Sequence, residues 1–255
     1  MKLVVCFFVS VFCLVSSAQV NPELAKEYYQ KGEFEKALVL YKKLLVTSSL
    51  HPDYNIKLID CHQQLNQLKA AQEHIETQIF QSRHPQFLVE LGYNYQLQNK
   101  LELANFNYDR ALLLVEEEPK YVYGVAQRFE SHSLISQAIQ SYEIGLAVAP
   151  NATYYYQLAG LYAAKQNIEK MMERYLDYVE TNPPYMSQVM RLLSEYISED
   201  ANQPYNQLFK NVLLKKLQTK PNPLWNQWLS WLYVQQNDFK KAFIQEKAVY
   251  RRTPE

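Results

Sequence analysis

The sequence predicts an all-α solenoid of about seven helix–turn–helix repeats. Three observations lead there. Glycine is scarce, with 5 in 255 residues, while there are 21 Tyr, 11 Phe and 3 Trp. All-β folds need glycine-rich turns every ~8–12 residues, and the aromatics supply ample core for a folded chain. Small residues recur at a fixed step: Ala37, Ala71, Ala104 and Ala138, then Met171, separated by 34, 33, 34 and 33 residues. Prolines punctuate at the same period, at Pro52, Pro85, Pro119, Pro150 and Pro183. Proline suits a first helical turn and disrupts an interior, so each marks a boundary between helix pairs.

The charge balance narrows the partners. There are 26 basic and 26 acidic side chains, for a net charge of zero. Such a chain exerts no long-range pull on a polyanion, so nucleic acid is not an expected partner. The densest acid run, Glu116–Glu118, reads as a solvated helix end.

Residues 1–18 read as a signal peptide. Lys2 supplies a short positive region, Leu3 to Val15 is apolar, and Ser16-Ser17-Ala18 ends in small residues. Cleavage is expected after Ala18, and the apolar run is too short for the ~20 residues of a spanning helix. The expected location is therefore periplasmic or secreted, with no stable membrane insertion of the mature chain. Without the leader the balance is 25 basic against 26 acidic. Cys6 and Cys13 leave with it, and Cys61 remains as a lone thiol, best read as a small buried hydrophobe on a helix.

The elements follow in order. The first copy carries Leu24, Ala25, Tyr28, Gly32, Ala37 and Tyr41. A weaker second copy runs from Asn66 to Ala71. The third has Leu91, Gly92, Tyr95, Ala104, Tyr108 and Ala111. The fourth has Val125, Ala126, Phe129, Ala138, Tyr142 and Gly145. The fifth has Leu158, Ala159, Tyr162 and Tyr175, with Met171 in place of the alanine. This pattern resembles the tetratricopeptide repeat family. The resemblance implies a right-handed α-α superhelix, with small residues letting paired helices approach and aromatics filling the space between repeats.

The expected organisation is a signal peptide at 1–18 and five repeats over 19–183. A degenerate helical hairpin over 184–222 and a seventh repeat over 223–255 complete it. The degenerate stretch lacks the small-residue signature. Its stripes are Val189, Leu192, Leu193, Tyr196 and Ile197, then Leu208, Val212, Leu213 and Leu217, with Pro204 between. The seventh repeat has Trp225, Trp228 and Trp231, and Glu246 replaces the usual aromatic. No polar capping helix is visible after it. The tryptophan-rich unit is therefore expected to expose an apolar end, suited to a homodimer or to a continuing chain.

No catalytic constellation emerges. His51, His62, His74, His84 and His132 are scattered, and Cys61 and His62 diverge on a helix, so no metal site is expected. No phosphate loop or nucleophile elbow is present, and no cofactor is expected. Asn151-Ala152-Thr153 fits either a glycosylation acceptor or a helix cap.

What remains is surface. The resemblance implies that first helices line a concave groove, which puts Tyr93, Gln96, Tyr123, Gln127, Glu130 and Tyr156 on that lining. Asp60, Gln63 and Trp231 take equivalent places in other copies. Tyr beside Gln suits an extended peptide or a partner helix, because tyrosine offers a broad apolar body with a polar tip. The expected function is a non-catalytic protein-binding scaffold of a bacterial envelope assembly or secretion system. Two alternatives stand beside it. One is an exported adaptor or sensor segment whose activity lies after residue 255. The other is a glycan-acting enzyme using acids such as Glu90, Glu102, Glu130 and Asp109.

Overall fold

The computed structural model describes residues 21–252. The expected leader, Cys6, Cys13 and the last three residues lie outside them. The described residues form α-helices and short 3-10 turns, as an all-α fold requires. The chain divides into two compact units, and the described part of the first ends at Ser82. In the first unit α1 (Pro22–Gln30) pairs with α2 (Phe34–Thr47), and α3 (Pro52–Gln64) pairs with α4 (Leu68–Ser82).

The second unit opens with α5 (Gln86–Leu97) and α6 (Leu101–Glu117). Next come α7 (Val122–Ser131) with α8 (Ile135–Val148), and α9 (Ala152–Ala164) with α10 (Ile168–Thr181). A shorter α11 (Met186–Leu193) is separated from α12 (Pro204–Thr219) by a connection that contains turns, and α13 (Pro223–Gln235) pairs with α14 (Phe239–Arg252).

Each start has a local cause. Pro22, Pro52, Pro204 and Pro223 open helices, where the missing N–H costs nothing. Asn21, Asn151, Asn167 and Asn222 cap helices, each side chain accepting a bond from a first-turn N–H. Asn151 is thus a helix cap, its Oδ1 accepting from Thr153 N at 3.0 Å.

Six of the hairpin turns repeat one geometry. Gly32, Asn66, Asn99, Ser133, Gln166 and Asn237 all adopt positive φ, between 56° and 74°. Every one stands five places before the periodic small or Met residue. The next N–H reaches back to a carbonyl of the preceding helix: Lys100 N to Tyr95 O at 3.0 Å, Leu134 N to Phe129 O at 2.8 Å, Asp238 N to Tyr233 O at 2.9 Å. That bond closes the first helix and satisfies a carbonyl left without a helical partner.

Close helix contact follows from side-chain size. Ala25, Ala37, Ala71, Ala104, Ala126, Ala138 and Ala159 are buried to within 1% of complete. At Gly92 a Cβ would stand 2.4 Å from the Tyr108 ring and 2.9 Å from the Ala104 carbonyl oxygen. The aromatics sit beside these contacts: Tyr108 against Phe129, with ring centroids 5.5 Å apart, and Tyr142 against Tyr154 at 5.6 Å.

Two expectations need correction. α11 ends at Leu193, so Tyr196 and Ile197 do not extend its stripe and lie in the connection that follows. The anchor there is polar: buried Asn206 donates to the carbonyls of Ser198 and Asp200, at 2.7 Å each. The tryptophans do not form an exposed end either. Trp225 and Trp228 are fully buried, and Trp231 packs on Phe209 and Trp228.

The contrast between two glycines tests this packing. Gly160 lies within α9 with nothing within 4 Å of an added Cβ. Gly92→Ala should lower stability by ~1–3 kcal/mol through overpacking, whereas Gly160→Ala should raise it by ~0.5–1 kcal/mol through helix propensity. Urea denaturation followed by circular dichroism reads both. Equal effects would contradict the tight contact at Gly92.

Candidate functional site

Apart from Asp60 and Gln63, the predicted lining residues fall in the second unit. Tyr93 and Gln96 are on α5, Tyr123 and Gln127 on the neighbouring α7, Tyr156 on α9 and Trp231 on α13. Their surroundings separate them. The Tyr93 ring stacks on His132, with centroids 3.7 Å apart and planes at 17°. Gln96 accepts a hydrogen bond from the buried Tyr108 hydroxyl at 3.1 Å. Tyr156 packs edge-on against Tyr175 and tilted against Tyr178, which in turn meets Tyr185. Trp231 belongs to the aromatic cluster with Phe209 and Trp228.

Tyr123 and Gln127 are the open pair. Tyr123 is 48% exposed, and Gln127 Nε2 donates to its hydroxyl at 2.8 Å. The i, i+4 spacing puts both on one strip of α7. One turn on, Glu130 accepts from the Tyr142 hydroxyl at 3.3 Å. Burial raises the Glu130 carboxyl, partly offset by that bond. The strip thus presents an aromatic face, an amide and a half-buried carboxyl. Asp60 and Gln63, in the first unit, are buried and not open lining residues. Asp60 accepts from Tyr29 at 3.0 Å and pairs with Lys57 at 3.3 Å.

Behind the Tyr93 stack lies an ionic cluster that the sequence reading missed. Glu90 on α5 is fully buried. Arg128 Nε meets its Oε1 at 2.5 Å, and His132 Nε2 lies 3.1 Å from the same oxygen. Burial alone would raise the Glu90 carboxyl, but Arg128 and His132 outweigh it and hold it down to about 2. The partners are 38 and 42 residues away in sequence. The available signal was Arg128 and His132 at i, i+4, about one repeat after Glu90.

In the first unit, Cys61 is buried without a disulfide, and burial pushes its thiol up to about 12. It therefore sits as a small hydrophobe rather than a reactive thiolate. His62 meets Gln67 Oε1 at 2.7 Å and His74 meets Asn55 Oδ1 at 2.7 Å. Burial lowers both imidazoles, His74 to about 4.

No protein-family model matches the chain, and no curated protein matches it. Among solved structures it is similar to the C-terminal part of a TPR repeat-containing protein from Cytophaga hutchinsonii, at 16% identity and TM-score 0.37, covering 91% of this chain and 95% of that one. It is similar to a tetratricopeptide repeat protein from Parabacteroides merdae, at 13% identity and TM-score 0.34, covering 90% of each. It is also similar to YrrB, described as a TPR protein with an unusual peptide-binding site, at 20% identity and TM-score 0.32, covering 64% of this chain and 86% of that one. At such identities and scores these overlaps add nothing to the helix hairpins already described.

The ionic cluster makes an acid-stability prediction. The Glu90 carboxyl is held below its ordinary value, so its contribution is present above about pH 4–5 and lost as pH falls toward 2. Glu90→Gln removes a buried carboxylate from Arg128 and His132 and should cost ~3–5 kcal/mol near neutrality. Denaturant titrations at stepped pH should show the gap between parent and variant narrowing below about pH 4. A gap that stays constant to the acid limit would contradict the assignment.

Proposed function

We propose that this chain is a non-catalytic scaffold that holds a protein partner, as an extended peptide or a helix, along the first-helix face of its second unit. The observation that carries the reading is the exposed Tyr123–Gln127 pair, an aromatic body with an amide beside it on a rigid helix. Tyrosine offers large contact area at low entropy cost, and a neighbouring amide can bond a peptide backbone. The acids argue the same way. Glu90 is fully buried and held by Arg128 and His132, while Glu102 and Asp109 lie on the exposed outer face of α6.

The leader read from residues 1–18 supports export to the periplasm or outside the cell, with a role in envelope assembly or secretion. Among the described residues no helix is long and apolar enough to cross a membrane.

Site-specific photocrosslinking tests this reading. A benzophenone amino acid at Tyr123 should give one discrete adduct in an envelope fraction, and the same group at exposed Lys69 of the first unit should not. Gln127→Ala with Tyr123→Ala should abolish co-purification of that adduct's partner while helicity is unchanged. Adducts at Lys69 as strong as at Tyr123 would sink the site, and an active protein found only in the cytoplasm would sink the export.

A further inference from the structure

α14 carries an uncovered apolar face, most of whose counterparts in other hairpins are buried or half-buried. One place after the periodic small or Met residue, the apolar residues Leu38, Ile139 and Met172 are buried, polar Gln72 is half-buried and Asn105 exposed, but apolar Phe243 is 69% exposed. Four places after it, Tyr41, Ile75, Tyr108, Tyr142 and Tyr175 are buried, whereas α14 has exposed Glu246. Eight places after it, Val179 is buried and Leu45, Ile79, Leu112 and Leu146 are half-buried, whereas Tyr250 is 73% exposed. Phe239, Phe243 and Tyr250 fall within about 40° of one another on the helix, and Lys240, Lys247 and Arg251 form a row directly beside them. α14 holds five basic residues and one acid, in a chain whose net charge is zero. Lys240, Lys247 and Arg251 enter no ion pair among the described residues.

The chain also carries the complement. The outer face of α6 exposes Phe106 and Leu113, at 59% and 55%. Glu102, Asp109 and Glu116 run along that face at a spacing of seven, close to two helical turns. α6 holds four acids and one basic residue, Arg110, whose guanidinium lies over the Phe106 ring. The three acids of the row enter no ion pair among the described residues.

We propose that α14 of one copy docks on α6 of a second copy, aromatic stripe against apolar stripe and basic row beside acidic row. Two α14 helices would bring like rows together, so a symmetric dimer through the last hairpin is disfavoured by the same charges. The α14-to-α6 contact is heterologous and leaves one unused α14 and one unused α6, so it extends into chains or closes into rings. One helix pair buries less than a stable interface needs, about 1,200 Å² in total, so the association is weak and salt-sensitive.

Sedimentation velocity of the purified chain over a concentration series tests this at low and high salt. Association should grow with concentration and fall by on the order of tenfold at high salt. Lys247→Glu with Arg251→Glu should weaken it on the order of tenfold, as should Asp109→Lys with Glu116→Lys. All four together should restore it, because the rows are again opposite in sign. These side chains are exposed, and unchanged circular dichroism would exclude misfolding. Monomers at every concentration, or association indifferent to both reversals, would overturn the proposal. So would binding of α14 to phosphatidylglycerol vesicles by a chain that stays monomeric, which would assign the face to an anionic membrane.

Discussion

Wherever the two helices of a hairpin approach closely, a residue with almost no side chain stands between them. Gly92 has no room for a Cβ, because the Tyr108 ring and the Ala104 carbonyl occupy that space. The approach fixes where the Tyr108 ring must lie, and the ring then meets Phe129 of the following hairpin. Its hydroxyl reaches Gln96 on the same α5. One missing side chain thus sets the register of α5 on α6 and of α6 on the next pair. A hairpin by itself leaves the aromatic half open, so stacking is required for stability.

The turn supplies the other half of the constraint. A left-handed residue five places before the periodic position reverses the chain, and the bond behind it closes the first helix. Asn, Gly, Ser and Gln all fill that place, so the backbone geometry is held more tightly than the residue type. Asn and Gly enter it at least cost. At Gln166 and Ser133 the surrounding packing enforces the conformation.

Much of this was legible in the sequence, because the period is a local property repeated many times. The spacing of Ala37, Ala71, Ala104 and Ala138 and the phased prolines announce hairpins without reference to any long-range contact. α11 was harder: periodicity carried its stripe through Tyr196 and Ile197, but the helix stops at Leu193 and Asn206 organises the connection through its side-chain amide. The Glu90 cluster was invisible for a different reason. Its members come from adjacent first helices, and nothing in a charge pattern says which glutamate a later arginine will meet. Groove assignment had the same weakness. The resemblance placed Tyr93 and Tyr123 on one lining, yet Tyr93 stacks on the His132 ring while Tyr123 stays open. In the last hairpin the tryptophans pack inward, and the exposed apolar residues are instead the phenylalanines of α14, which no repeat position singles out.

Native-state amide hydrogen exchange tests the central account most directly. If small-residue contacts between helices hold the hairpins, the slowest amides should cluster around Ala104 and Ala138 in the second unit and around Ala37 and Ala71 in the first. Residues 194–203 should exchange fastest among the internal segments. Protection spread evenly along the helices, or greatest in the α11–α12 connection, would contradict it.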